Sequence, residues 1–248
     1  MATPIPNEHR TVRWYVKRTF RRWLQPSLND LHRVADIQTT DAGRILTERF
    51  GISVTRADGY REELEESVAE NPNRAASLSY PERMAIEMVE AGVIYSLIRA
   101  RKPQWMIETG VANGFSSFAI LSAMRRNGAG RLVSFDPGRD VGAVVPTELR
   151  NNGWELVRAP LREDRGIPPL DLFMHDSAHD YANQLREYRI AWRHLNPGGV
   201  LMSDDIDASY AFIAFCRMLG RRPDVLVGSR KAFGLLVKPA ASPVTSSQ

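Results

Sequence analysis

The sequence predicts an α/β protein with a doubly wound, mostly parallel sheet of seven strands. Short apolar segments alternate with longer amphipathic ones from about residue 80 onwards, which is typical of strands joined by helices that cover both faces of a sheet. The last two apolar segments are six residues apart and predict a closing hairpin. A chain of 248 residues with 43% hydrophobic and 25% charged side chains also suits a soluble globular fold.

The individual strands and helices follow from this alternation. Strands are predicted at residues 105–108, 131–135, 155–157, 172–175, 200–203, 225–227 and 233–237. Helices are predicted between them at 116–126, 182–195 and 210–219. A further helix is predicted to begin at Ser79, which can cap it, and to continue through Ile98. We therefore expect residues 80–240 to form the main domain and 241–248 to be a disordered tail.

The first 79 residues are expected to form a helical extension and a lid. Helices are predicted at 11–24, at 28–37, and from a cap at Asp41 to Phe50, with Gly51 as the stop signal. Residues 56–76 are charged and poor in apolar side chains. We expect a mobile segment there, which could close over a ligand.

The positive charge of the chain is concentrated at its N-terminal end. The net charge is +4, and residues 1–34 hold seven basic and two acidic side chains, so the remainder is close to neutral and is not expected to bind nucleic acid. The basic, aromatic segment 10–25 leaves three interpretations open: packing on the body or on a second subunit of a homo-oligomer, contact with a membrane surface, or a targeting peptide. No apolar run could span a bilayer, and the single Cys216 cannot form an internal disulfide. The expected location is the cytoplasm, with or without peripheral attachment to a membrane.

A glycine-containing loop after the first predicted strand indicates a nucleoside site. Gly110 permits a tight turn, and Gly114 lets the backbone approach a ligand where the next helix begins. Asp136 follows the second strand, where its carboxylate could accept both hydroxyls of a ribose. The glycines are four residues apart, which differs from the dinucleotide pattern and argues against an NAD-type oxidoreductase.

Three aspartates are predicted to meet at the ends of two further strands. Asp176 ends the fourth strand, and the pair Asp204 and Asp205 ends the fifth. Neighbouring parallel strands lie about 5 Å apart, so these carboxylates should converge and attract a hard cation, Mg²⁺ rather than Zn²⁺. The alternatives are a helix cap for Asp176 and a solvated loop for the pair. His179 follows Asp176 by three residues, whereas His175 lies inside the strand and is expected to be a core residue.

Together, the motif Glu-x-Gly-x-x-x-Gly-x-Ser and Asp136 resemble class I S-adenosylmethionine-dependent methyltransferases over about residues 80–240. The resemblance implies that S-adenosylmethionine binds at the residues of the motif and at Asp136, namely Glu108, Gly110, Gly114, Ser116 and Asp136. The two glycines would flank its methionine part, Ser116 would bind the methionine carboxylate, and Asp136 the ribose. The turn at 158–161 lacks the polar residue that often contacts adenine, so the adenine contacts stay unassigned.

The acidic cluster resembles that of metal-dependent O-methyltransferases that act on sugars and natural products. The resemblance implies that Asp176, Asp204 and Asp205 hold a divalent ion, that His179 is the catalytic base, and that the acceptor is a hydroxyl group of a small molecule. Two other functions stay open at this point. One is a protein that binds S-adenosylmethionine, or a membrane, without catalysis, and the other is the oxidoreductase.

Overall fold

One mixed sheet of eight strands forms the centre of the computed structural model, which describes residues 25–162 and 166–240. The strands are β1 (Ile37–Thr39), β2 (Trp105–Thr109), β3 (Arg131–Phe135), β4 (Trp154–Val157), β5 (Leu170–His175), β6 (Leu195–Ser203), β7 (Asp224–Val227) and β8 (Ala232–Val237). Their spatial order is β1-β7-β8-β6-β5-β2-β3-β4. Only β8 runs antiparallel to its neighbours, β6 and β7. The predicted parallel sheet and its closing hairpin are confirmed.

The helices cover both faces of this sheet, and each face has its own core. They are α1 (Leu28–Val34), α2 (Ala42–Phe50), α3 (Val54–Ala69), α4 (Met88–Arg101), α5 (Phe115–Asn127), α6 (Thr147–Arg150), α7 (Tyr181–His194) and α8 (Ala211–Met218). Leu64, Tyr95 and Leu97 are fully buried on the face with α2–α5. Tyr188 and Phe212 are fully buried on the opposite face with α1, α7 and α8. Successive residues of each strand point to opposite faces, so the strands contribute to both cores.

The eighth strand is a difference from the predicted sheet of seven. The helix expected at 28–37 ends at Val34, and Ile37–Thr39 then pairs in parallel with β7. The amide of Asp36 donates to the carbonyl of Pro223 at 2.6 Å. A strand of three residues is too short to show the alternation by which strands are recognised in a sequence.

The segment 56–76, expected to be mobile or to form a lid, is mostly helical, and a role as a lid stays a prediction. α3 spans Val54–Ala69, and its N-terminal cap is Ser53. Leu64 is fully buried in the core, and Glu63 binds Arg99 of α4 at 2.6 Å. The helix packs with few apolar side chains because a part-buried ion pair supplements them.

The helix expected from Ser79 is also different. Residues Glu82–Met84 form a single 3-10 turn, and α4 begins only at Met88. Glu87 and Glu90 form a reciprocal capping box at this start, which fixes the beginning of the helix. The segment before it therefore forms a loop, which lies over the carboxyl edge of the sheet.

Two terminal predictions lie outside the described residues: the helix at 11–24 and the tail at 241–248. The three interpretations of residues 10–25 stay predictions for the same reason. Within 25–162 and 166–240, none of the helices has the length and apolar character needed to cross a bilayer.

Candidate active site

A cavity of about 520 Å³ lies at the carboxyl ends of the parallel strands. The loops after β2, β3, β5 and β6 contribute to its lining, which includes Gly110, Asp136, Asp176, His179 and Asp205. Its volume is within the range of pockets that bind small organic molecules. Five of the residues predicted from the sequence as site residues therefore line one cavity.

Gly110 and Gly114 are required because other backbone segments pass very close to them. A Cβ atom at Gly110 would lie 2.0 Å from the carbonyl oxygen of Asp176, and the residue has a φ of +83°. A Cβ atom at Gly114 would lie 2.8 Å from the Cα atom of Gly142. Gly110 lines the cavity, whereas Gly114 packs against a neighbouring loop.

Glu108 and Ser116 are bonded to each other beneath the loop. The fully buried carboxylate of Glu108 accepts hydrogen bonds from the hydroxyls of Ser116 at 2.5 Å, Ser117 at 2.6 Å and Ser134 at 2.7 Å. Burial raises the pKa of Glu108, and the three hydroxyls act in the opposite direction. This network connects β2, β3 and the start of α5. The network fixes the shape of the loop. The hydroxyl of Ser116, which the sequence analysis assigned to ligand binding, donates to Glu108 instead.

Asp136 fixes the same loop from the end of β3. Its Oδ2 accepts hydrogen bonds from the amides of Val111 at 2.8 Å and Ala112 at 3.2 Å, and its Oδ1 accepts one from Gly138 at 2.7 Å. The carboxylate also lines the cavity. Each carboxylate oxygen can accept more than one hydrogen bond, so Asp136 can hold the loop and still receive hydroxyl donors from a ligand.

Residues that sequence reasoning missed complete this end of the cavity. Tyr80 lines it, and its backbone exchanges two hydrogen bonds with the side chain of Asn113, at 3.0 and 2.7 Å. The turn without an assigned adenine contact supplies Pro160 and Leu161 to the wall. No local signal marks Tyr80, because its contact with Asn113 joins segments 33 residues apart in the chain.

Asp176, His179 and Asp205 form a compact group at the other end of the cavity. Each offers one ligand atom, and these atoms all lie within 4.8 Å of one another. His179 Nδ1 lies 3.4 Å from Asp205 Oδ2, and His179 Nε2 lies 3.6 Å from Asp176 Oδ1. Burial raises the pKa of Asp176 well above its usual value, and the charge of Asp205 adds to the effect. Such a group of oxygen and nitrogen atoms can hold a divalent cation.

Asp204 is not one of the three residues of this group, although it is next to Asp205 in sequence and its side chain is in hydrogen-bond contact with Asp176. Its side chain is fully buried and forms an ion pair with Lys231. Asp205 has a φ of +49°, a left-handed conformation that is uncommon for residues other than glycine. Asp205 lines the cavity, whereas Asp204 contacts Lys231 on its buried side. Lys231 was not predicted as a site residue, and the only signal is that it is one of four lysines among 33 basic residues.

Glu187 and His175 lie behind the group. Glu187 lines the cavity and accepts hydrogen bonds from the hydroxyls of Thr109 at 2.7 Å and Ser177 at 2.9 Å. His175 Nε2 lies 3.5 Å from a carboxylate oxygen of Glu187. Burial lowers the pKa of His175 to about 3, and the neighbouring His179 contributes. His175 is thus a neutral, fully buried residue at neutral pH, in agreement with the prediction of a core position.

Comparisons with known proteins agree with this architecture. Residues 107–206 match the family model of a methyltransferase domain. A search of curated proteins found no match. The solved structures with a similar fold include an O-methyltransferase from Bacillus cereus in complex with SAH, which is 14% identical over 84% of this chain and 99% of its own, with a TM-score of 0.52. They also include TomG from Streptomyces achromogenes, an O-methyltransferase of tomaymycin synthesis in complex with SAM, which is 17% identical over 84% of this chain and 99% of its own, with a TM-score of 0.50. At sequence identities this low, the similarity to these structures shows the fold alone.

Proposed function

We propose that this chain methylates a hydroxyl group of a small molecule, with S-adenosylmethionine as the methyl donor and a divalent metal ion, Mg²⁺, as the cofactor. The match of residues 107–206 to a methyltransferase-domain model and the similarity of the fold to a solved O-methyltransferase support the proposal. The observation that carries the proposal is that one cavity contains both the loop bound by Asp136 and the group formed by Asp176, His179 and Asp205. The first suits a nucleoside, and the second suits a cation that binds a hydroxyl.

The cofactor end supports S-adenosylmethionine. Asp136 faces the cavity beside the backbone of Gly110 and Ala112, where its carboxylate can accept hydrogen bonds from the ribose hydroxyls. Pro160 and Leu161 offer an apolar wall for adenine. Two of the structural relatives described above hold this cofactor or its product.

The residues of the acidic end fit a divalent ion and a base. Bound S-adenosylmethionine supplies an electrophilic methyl group, and bound Mg²⁺ would lower the pKa of the acceptor hydroxyl. Asp176 and Asp205 would hold the ion, and His179, which lies between them, would accept the proton that the hydroxyl loses. The two carboxylates also stabilise the imidazolium cation that results. The rest of catalysis is the alignment of oxygen, methyl carbon and sulfur, which depends on the fixed loop around Gly110.

Removal of the metal site tests this proposal. We expect Asp176→Asn and Asp205→Asn to abolish methyl transfer to hydroxyl acceptors and to leave S-adenosylmethionine binding within about threefold of wild type, since neither residue contacts the loop bound by Asp136 through a hydrogen bond of its side chain. A chelator should have the same effect on the wild type, and added Mg²⁺ should reverse it. The exposed Asp140→Asn, which changes charge by the same amount, serves as the control.

Two results would contradict the proposal in different ways. Full turnover in the presence of chelator would exclude the metal and leave His179 to act alone. Tight binding of S-adenosylmethionine without turnover on any panel of hydroxyl compounds would favour the non-catalytic binding protein. Comparison of metabolites from a deletion strain, in a search for a product lighter by one methyl group, would provide the acceptors for the panel.

A further inference from the structure

A lysine occupies the buried side of the carboxylate cluster. Lys231 lies in the turn between β7 and β8, and its side chain is only 7% exposed. Its ammonium group forms an ion pair with Asp204, whose side chain has no exposed surface. Burying a lysine is costly unless its charge is compensated. Asp204 therefore has a cation of its own before any metal ion binds.

The turn that carries Lys231 is fixed to the rest of the fold. Glu87, which caps α4, accepts hydrogen bonds from the amides of Ser229 and Arg230, both at 2.9 Å. The ammonium group of Lys231 also lies 3.5 Å from the carbonyl oxygen of Ala85. These contacts hold the lysine on the inner side of the cluster, so its contact with Asp204 is part of the packed structure.

The charge of Lys231 acts on the other aspartates too. Burial raises the pKa of Asp176 and Asp204, and Lys231 opposes the rise in both. Burial alone would lower the pKa of Lys231, but Asp204, Asp176 and Asp205 together raise it above its usual value. The ammonium group is thus electrostatically coupled to all three carboxylates, although it contacts only one of them.

We infer that Lys231 is a permanent counter-cation of the carboxylate cluster, which neutralises Asp204 and leaves Asp176 and Asp205 as the carboxylates available to a divalent ion. The inference rests on the proposed metal site and changes its composition, because the resemblance to metal-dependent enzymes implied three carboxylate ligands. Lys231 is a positioning residue in this scheme. Its charge limits how tightly the site binds a cation.

Titration with Mn²⁺, followed by electron paramagnetic resonance in the absence of S-adenosylmethionine, tests the inference without turnover. Lys231→Met removes the positive charge and should tighten Mn²⁺ binding by about tenfold or more. Asp204→Asn leaves Lys231 without its partner and should weaken binding by a similar factor. The double variant Lys231→Met/Asp204→Asn removes both charges and should bind within about threefold of wild type. Lys102→Met, at an exposed lysine, is the control.

The opposite model gives a different pattern. If Asp204 is itself a metal ligand, Asp204→Asn and the double variant lose affinity to the same extent, and the inference is overturned. It is also overturned if folded Lys231→Met binds Mn²⁺ no more tightly than wild type, or if no protein of the series binds Mn²⁺. Should Lys231→Met fail to fold by circular dichroism, the double variant decides, since it leaves no buried unpaired charge.

Failure of the proposed function is distinguishable from failure of this inference. A wild type without measurable Mn²⁺ affinity would reject the metal-assisted reaction. A gain of Mn²⁺ binding in Lys231→Met would still support the lysine as the cation of the cluster in that case.

Discussion

Acidic side chains at the two ends of the cavity are compensated in different ways. At the cofactor end, Glu108 accepts hydrogen bonds from three serine hydroxyls, and Asp136 accepts hydrogen bonds from three backbone amides. Neutral donors therefore satisfy both carboxylates. At the other end, Asp176 and Asp205 face each other across His179, and Lys231 pairs with Asp204 behind them. Hydrogen bonds from neutral donors fix the shape of the backbone, whereas facing carboxylates repel each other and are stabilised by a positive charge. Under the proposed function, the first end would hold a ligand by its shape, and the second would hold a cation and accept a proton.

The largest effect is expected at the acidic end. His179→Ala should lower kcat by roughly 10²–10⁴-fold, because the acceptor hydroxyl then loses its general base. Binding of S-adenosylmethionine should stay within about threefold of wild type, since His179 lies at the opposite end of the cavity from Asp136. Steady-state kinetics with calorimetry of cofactor binding would measure both quantities. The exposed His32→Ala is the control, and an active His179→Ala would reject the assignment of the base.

Gly110 connects the two ends, so a side chain there should disturb both. In Gly110→Ala the new Cβ would meet the carbonyl oxygen of Asp176, and we expect the free energy of unfolding to fall by about 3 kcal/mol or more. Gly51 is a matched control, because its φ of +66° is also left-handed but no atom lies within 4 Å of the position of a Cβ. Gly51→Ala should therefore cost only about 1–2 kcal/mol, the strain of the backbone alone.

Urea denaturation of the two glycine variants would separate the steric clash of the new Cβ atom with Asp176 from the strain of a left-handed backbone. Equal losses of stability would contradict the close contact between the loop and the end of β5. A larger loss in Gly110→Ala, together with weaker binding of both cofactor and Mn²⁺, would support Gly110 as the joint between the two ends.

The cofactor end alone should respond to Asp136. We expect Asp136→Ala to weaken S-adenosylmethionine binding by about 1–3 kcal/mol, because the ribose hydroxyls lose a charged acceptor and the loop loses three hydrogen bonds. Mn²⁺ affinity should be unchanged, which is the reverse of the pattern expected for Asp205→Asn. Calorimetry with each ligand in turn would show the crossed pattern. Unchanged cofactor affinity in Asp136→Ala would remove this residue from the site.

The sequence predicted the seven long strands and the carboxyl edge where the site lies, because apolar alternation and glycine-containing turns are local signals. It predicted that Asp176, Asp204 and Asp205 would converge beside the cofactor site, since parallel strands end at a common edge. Asp176 and Asp205 line one cavity with Asp136, whereas Asp204 pairs with Lys231. It could not predict β1, whose three residues depend on pairing with β7. Nor could it predict α3, whose packing combines the buried Leu64 with the ion pair of Glu63 and Arg99.

Side-chain directions at the site were also beyond the sequence. Asp204 and Asp205 are adjacent and chemically identical, yet Asp204 pairs with Lys231, whereas Asp205, in a left-handed backbone conformation, lines the cavity. Ser116 resembles a ligand-binding serine by position, but its hydroxyl points to Glu108. Lys231 comes to the cluster from a hairpin 27 residues further along the chain from Asp204. Contacts of this kind are set by tertiary packing, which no local pattern records.

The smallest effect is expected from Glu90, which extends the acidic end into α4. Its carboxyl is fully buried, one of its oxygens accepts a hydrogen bond from the amide of Glu87 at 2.7 Å, and the other has no hydrogen-bond partner among the described residues. Burial, with the charge of Asp204 as the next cause, raises the pKa of Glu90 from 4.5 to about 8. Between these two values the unfolded chain releases a proton that the folded protein keeps, so folding should become less favourable as the pH rises.

Glu90→Gln replaces the titratable carboxyl group with a neutral amide and keeps the shape of the side chain. We expect the stability of wild type relative to Glu90→Gln to fall as the pH rises from 5 to 8, by on the order of 1 kcal/mol, because relaxation around a buried carboxyl offsets much of the cost of burial. Urea denaturation at a series of pH values would measure the difference, with the exposed Glu62→Gln as the control. Parallel stability curves for wild type and Glu90→Gln would contradict the raised pKa of Glu90. A difference that grows with pH would show that the folded protein keeps the proton of Glu90 at a pH where the unfolded chain has lost it.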